Sequence, residues 1–226
     1  FVRWVDRIAR LGRIGDTIDK VEKVTAAALK QYRDAPSLCG IPADLAHISG
    51  QPVFTNVVGY VQHIDMAGLQ SVAENADGHI TLSVLPGTFM TPERALAYIE
   101  VDSHAKTAFD SKRLTDAFVI GKARVFDDDP RYGLVVLSQI AGRALSPAVN
   151  DPGTAIDVIS TLVRLFVLWG ASKPDDEGTC PEMKYDRVQV PLLATQDMFD
   201  DAFTAITRDG SGSVEVAIRL QKALSS

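Results

Sequence analysis

Cysteine is nearly absent. Cys39 and Cys180 are the only two in 226 residues, far apart and without a CxxC spacing. A chain of this length needs no disulfide framework, and without a CxxC pair neither metal nor redox-motif chemistry is expected of the two cysteines. The ordinary reading is two unpaired thiols in a reducing compartment, with a single bridge between them as the alternative. Long apolar runs are missing too. The most apolar stretch, Val158 to Trp169, is too short to span a bilayer, carries Arg164 and has Asp157 at its edge. It is expected to be a buried core helix.

Positive charge is not in excess. The formal net charge is -6, with 23% charged residues, which argues against a general nucleic-acid binder. No RNP, zinc-finger or Walker pattern occurs. The four histidines, His47, His63, His79 and His104, show no HxH or HExxH spacing. A GxSxG elbow is lacking, and neither cysteine sits in a catalytic setting. These absences favour a non-enzymatic chain with no identified cofactor. The first residues, FVRWVDRIARLGRIG, contain no signal-peptide apolar region and no starting Met, so the chain is expected to be a piece of a longer one.

What is present is a periodic, 46% hydrophobic sequence able to bury a sizeable core. Val5, Ile8, Leu11, Ile14, Ile18, Val21, Val24 and Leu29 recur at helical spacing and predict one helix over the first 32 residues. Arg3, Arg7, Arg10 and Arg13 follow its polar side, accompanied by Trp4. Such a start is either a solvated basic face or a juxtamembrane one, where guanidinium groups meet anionic headgroups and the indole sits at the interface.

After a loop marked by Pro36, Gly40, Pro42 and Gly50, the texture turns to strands. PVFTNVVGYVQHID reads as two short strands around Gly59, and Met66 to Ala76 as a short helix. HITLSVL (79–85) alternates with period two; a turn at Pro86-Gly87 and a strand ALAYIEV follow. The run from GYV through ITLSVLPGTFMTPERALAYI resembles the barrel-sandwich pattern of lipoyl-like domains. Carriers of that kind need a lysine at a hairpin tip, and none lies between Lys30 and Lys106. A covalent lipoyl or biotin group is therefore excluded, which leaves a spacer or binding platform.

The remainder reads mainly as helices: Ser111 to Phe126, LVVLSQIAGRAL to Leu145, and the apolar helix to Trp169. TQDMFDDAFTAITRD and SGSVEVAIRLQKALSS close the chain, with Phe199, Ala202, Phe203 and Ile206 as the inner face of the first. SKPDDEGTCPEMK is a polar loop and YDRVQVPL a short strand. The expected class is α+β, a mainly helical core with a small β-sandwich-like module. The expected division is 1–45 (amphipathic helix and linker), 46–105 (β-rich module) and 106–226 (helical domain).

Two polar clusters interrupt these elements. In ALSPAVNDPGTAIDV, Pro147 disfavours continuing the helix through Ser146. Asp151 before Pro152 suits an N-cap with Pro at N1 and Thr154 at N3, and Asn150 tolerates a left-handed turn. That explains the stretch as a helix corner. The other reading takes Arg143, Ser146, Asn150, Asp151 and Thr154 as a ligand site, since a helix N-terminus attracts anions. In DDDPRYG, Asp127, Asp128 and Asp129 offer oxygen ligands to Mg²⁺ or Ca²⁺, yet adjacent residues point apart and EF-hand spacing is absent. An acidic helix-terminating turn is the commoner use of such a run.

GYVQHID, LPGTFM, FDDDPRYGLVVLSQIAGRALSPAVNDPGTAIDVI and the closing helices resemble the bacterial family of predicted membrane proteins known as domain of unknown function 2254. DPRYGLVVLSQIAGRALSPAVNDPGTA is similar to that family's DPxFGLxxLxDIAxRALSPGINDPxTA signature. It departs at Tyr132, Gln139, Ala148, Val149 and Gly153. The resemblance implies the soluble region that follows several transmembrane helices in a bacterial inner-membrane protein, with the basic start next to the bilayer. The arginine excess then favours the cytoplasmic side. The expected function is assembly, gating or regulation of the membrane part, as a homo-oligomer. The alternatives are a sensor of an anion or small polar molecule at the 146–154 corner, and a metal-dependent hydrolase using Asp127, Asp128, Asp129 and Asp151.

Overall fold

The computed structural model describes residues 2–44, 48–101, 109–171 and 183–225, with side chains described from residue 14 onward. In chain order its elements are α1 (Val2–Asp34), β1 (Gly40–Pro42), β2 (Gln51–Phe54), β3 (Gly59–Ile64), α2 (Met66–Asn75), β4 (Gly78–Leu82), β5 (Phe89–Met90) and β6 (Ala95–Val101). They continue with α3 (Ser111–Asp116), β7 (Phe118–Gly121), α4 (Tyr132–Leu145), α5 (Pro152–Gly170), β8 (Tyr185–Val190), α6 (Thr195–Gly210) and α7 (Val214–Leu224). The class is α+β, with seven α-helices and two sheets among the described residues, whose strands close no barrel. The chain divides into a helical unit (Phe1–Lys30, Pro130–Ser172, Ala194–Ser226) and a sheet unit (Gln31–Asp129, Lys173–Leu193).

In the helical unit α4 packs on both α5 and α6, and α5 packs on α7. Each helix buries one stripe, as its periodicity dictates. From α4 come Leu134, Leu137, Ala141 and Ala144; from α5, Val158, Ile159, Leu162 and Leu165; from α6, Met198, Ala202 and Ile206. Phe199 sits at the edge of this core, 38% exposed, with its ring stacked on Phe166 at 4.2 Å. On α1 the stripe turns away from Val24, which is 40% exposed, and takes Thr25 instead. The Thr25 hydroxyl donates to the carbonyl of Val21 at 2.6 Å, which satisfies it inside the core. Thr25 leaves no room opposite: a β-carbon on Gly133 of α4 would collide with its side chain. Glycine is what lets α4 approach α1.

Among the described residues α5 alone is long and apolar enough, by length and composition, to cross a membrane. Its buried face packs within the bundle, and on its other side Arg164 makes two 2.7 Å bonds to the Glu22 carboxylate of α1. The helix is 19 residues long, so the expectation that the apolar run is too short to span a bilayer does not hold for the whole element, while its buried stripe packs against α4 and α7.

In the sheet unit the larger sheet has the order β1-β8-β4-β6-β2. β1, β8 and β4 run parallel, and β4, β6 and β2 antiparallel. A second, antiparallel sheet has the order β5-β3-β7. The central strand β4 alternates buried and outward residues, with Ile80 and Leu82 inward, while its neighbour β6 buries Ala95, Leu96 and Ala97 in succession. α2 lies on β4 and β8 through Met66, Leu69, Val72 and Ala73, and Asp65 caps it by accepting the Gly68 N–H at 3.0 Å. The expected turn at Pro86-Gly87 forms, with Thr88 N–H donating to Leu85 carbonyl at 3.0 Å and Gly87 at φ +88°. Tyr32 is buried here and accepts the Leu193 N–H at 3.1 Å; burial pushes its phenol pKa up.

Two elements differ from expectation: the predicted loop between Pro36 and Gly50 contains β1, which pairs in parallel with β8, and the predicted helix over 111–126 is cut short. The predicted helix over Ser111 to Phe126 stops at Asp116, and Phe118–Gly121 pairs with β3 as an antiparallel strand. Phe118, Val119 and Ile120 are aromatic and β-branched, and a distant strand edge outweighs the local helical pattern. The predicted loop from Ser172 to Lys184, with Cys180, lies almost wholly outside the described residues, as do His47 and His104.

Candidate functional site

The helix corner is built from α4, its C-cap Ser146, and the start of α5. Ser146 is extended (φ -60°, ψ 147°), and its hydroxyl donates to the Arg143 carbonyl at 2.7 Å. The N–H groups of Val149 and Asn150 both donate to the Ser146 carbonyl, and that of Asp151 to the Ala144 carbonyl at 2.8 Å. Asn150 stands in the left-handed region at φ +48°. Asp151 is the N-cap of α5, with Pro152 in the first turn. One of its carboxylate oxygens accepts the Thr154 N–H at 3.2 Å, the other the Thr154 hydroxyl at 2.7 Å. The corner chemistry read from the sequence is therefore realised bond by bond.

Beneath the corner lies a pocket of about 530 Å³. Of the five corner residues singled out in the sequence, Arg143, Asp151 and Thr154 line it; Ser146 and Asn150 do not. Its apolar wall is Ile14 of α1, Val136, Ile140 and Ala144 of α4, and Val149, with Thr17 and Gln139 as polar groups. The sequence reading missed that wall, although a signal was present. Positions 136, 139, 140, 143 and 144 share one face of α4 at the i, i+3, i+4, i+7, i+8 spacing. Position 139, where the family signature carries an acid, puts a neutral amide in the pocket. The Arg143 side chain is exposed, and among the described residues it has no hydrogen-bond or ion-pair partner.

The acidic run goes elsewhere. Asp129 is buried in the sheet unit, where Arg124 grips it with two bonds of 2.7 and 2.9 Å. It lies so close to the Leu85–Thr88 turn that a β-carbon on Gly87 would strike its carboxylate. Asp128 bonds His63 at 2.6 Å, and Gln31 donates to its other oxygen at 3.4 Å, while Asp127 is exposed. Among the described residues no three His, Cys, Asp or Glu side chains converge as metal ligands do. Asp151, the fourth acid of the hydrolase reading, is held in its cap. Arg3, Trp4, Arg7 and Arg10 lie on α1, with side chains outside the described residues.

With this geometry in view, the whole chain, residues 1–226, matches the family described as "Predicted membrane protein (DUF2254)". The chain belongs to this family. Within curated proteins, this DUF2254 chain is 31% identical over 171 residues to an uncharacterized protein of Mycobacterium bovis and, at the same identity, to one of Mycobacterium tuberculosis. The matched segment is 74% of this chain and 31% of each relative, so the chain spans about a third of the length of the curated relatives it matches. No solved structure matches it. Membership shows a predicted membrane protein, and neither the family description nor the relatives' names state an activity.

Proposed function

We propose that this DUF2254 chain is a non-catalytic regulatory part of a bacterial inner-membrane protein, which gates or organises the membrane part by reading a small ligand in the pocket under the α4–α5 corner. The pocket carries this reading. Its volume of about 530 Å³ falls within the range of small-molecule sites, and mostly apolar walls with a few convergent polar groups are their usual composition. Ile14 and Thr17 bring α1 into that wall, so occupancy acts on the helix that leads back to the basic, Trp-bearing start. Read as juxtamembrane, the arginine excess of that start supports a position on the cytoplasmic face. Exposed Val167, Val214 and Ile218 offer apolar surface for a homo-oligomer.

A thermal-shift screen over phosphates, nucleotides, short carboxylates and fatty acids tests the reading. At saturating concentration a true ligand is expected to raise Tm by roughly 5 °C or more. Val149→Trp, which fills the pocket from an exposed position, should abolish the shift. If no class stabilises the protein, or if the shift survives in Val149→Trp, the reading fails.

A further inference from the structure

We infer that the ligand is an amphiphilic anion, its single carboxylate or phosphate head held by Arg143 and its aliphatic tail lying along Ile14, Val136, Ile140 and Val149. The inference rests on the pocket reading above and narrows it to one chemical class.

Three observations lead there. The first concerns the anion's partner. A helix N-terminus attracts anions through its free N–H groups. At α5 that place is already taken by the chain's own carboxylate, since Asp151 accepts both the N–H and the hydroxyl of Thr154. An external anion would meet like charge there. Among the described residues Arg143 is the one cation in the lining and its guanidinium is unengaged, whereas Arg131 and Arg164 of the same unit are each held by carboxylates. Charge complementarity therefore sets the head at Arg143.

The second observation is size. A volume of about 530 Å³ is far more than an inorganic anion fills, given that a water occupies about 30 Å³ of liquid. The third is wall chemistry. Aliphatic side chains from α1, α4 and the corner line that open-sided space, and they offer a polar ligand body few hydrogen-bond partners beyond Gln139 and Thr17. A sugar or nucleoside body would lose its hydration there without replacement, while a methylene chain would gain. A free fatty acid and an acyl chain of an anionic membrane lipid share this chemistry.

Calorimetric titration of the chain with monomeric decanoate tests the inference, with octanoate, decanol and inorganic phosphate in parallel, and with phosphatidylglycerol vesicles as a separate arm. Decanoate is expected to bind one to one, about fourfold more tightly per added methylene relative to octanoate. Arg143→Gln should weaken it about tenfold or more, with Arg143→Lys in between, and Val149→Asp should remove it. Both positions are exposed, so unliganded Tm should hold in these variants. Binding of vesicles alone, with the same dependence on Arg143 and Val149, supports a membrane lipid as the source; decanoate binding supports a free acid. If decanol matches decanoate, or Arg143→Gln changes nothing, the anionic head is refuted. If inorganic phosphate binds as well as decanoate, the amphiphile is refuted while the ligand-reading pocket stands. If nothing binds, both fall.

Discussion

At the scale of single residues, the three carboxylates of DDDPRYG have separate fates. Asp129 is a buried charge with side-chain exposure of 1%, compensated by Arg124 at 19%. Removing one partner of such a pair leaves the other charge uncompensated in a low-dielectric setting. Asp129→Ala is expected to destabilise the protein by about 3 kcal/mol, measured as the shift of a urea unfolding midpoint, whereas Asp127→Ala should change it by less than about 0.5 kcal/mol. Equal effects would contradict the assignment. The sequence displays three identical acids and cannot say which is buried, because the Leu85–Thr88 turn that Asp129 lies against belongs to a distant part of the chain. Gly133 was legible as a match to the family signature, but its cause, the Thr25 side chain of α1, is visible only in the packed bundle.

At the scale of elements, the helix corner was readable almost completely. Proline after Ser146, asparagine in the left-handed region and an Asp-Pro start are local chemistry, and local chemistry is carried by neighbouring residues. Asp151→Ala removes both bonds to Thr154 and is expected to cost about 1 kcal/mol, or roughly 2–4 °C in Tm for a chain this long. Asp151→Asn, which keeps an acceptor for the Thr154 N–H, should lose less than half of that. A neutral Asp151→Ala would mean the cap does not hold α5. β7 marks the opposite limit. Residues 111–126 carry a helical pattern, and only the edge of β3 decides that Phe118–Gly121 becomes a strand. Amphipathic helices announce their buried face in one segment; a strand needs a partner that the segment does not contain.

At the scale of the whole molecule, the α+β class and the membrane-protein family were both legible, the first from periodicity and the second from one signature spanning α4, the corner and α5. The pocket was only half legible. Its polar rim, Arg143, Asp151 and Thr154, drew notice because charged and capping residues cluster in sequence. Its apolar wall did not, since Ile14 and Ile140 look like ordinary core positions until α1 and α4 are set side by side. That wall is also what changes the chemistry of the site, from a small polar anion at a helix terminus to an anion with an aliphatic body. The α5 terminus satisfies itself through Asp151, which leaves Arg143 as the group for the proposed anionic head.

The most direct test of this account is methyl NMR of the chain carrying isotopically labelled isoleucine δ1 methyls, titrated with decanoate. Saturable shifts are expected at Ile14 and Ile140, which line the pocket, with Ile80 in the sheet unit and exposed Ile218 on α7 unmoved. Shifts centred on Ile218, or none at Ile14 and Ile140 while decanoate binds, would contradict it.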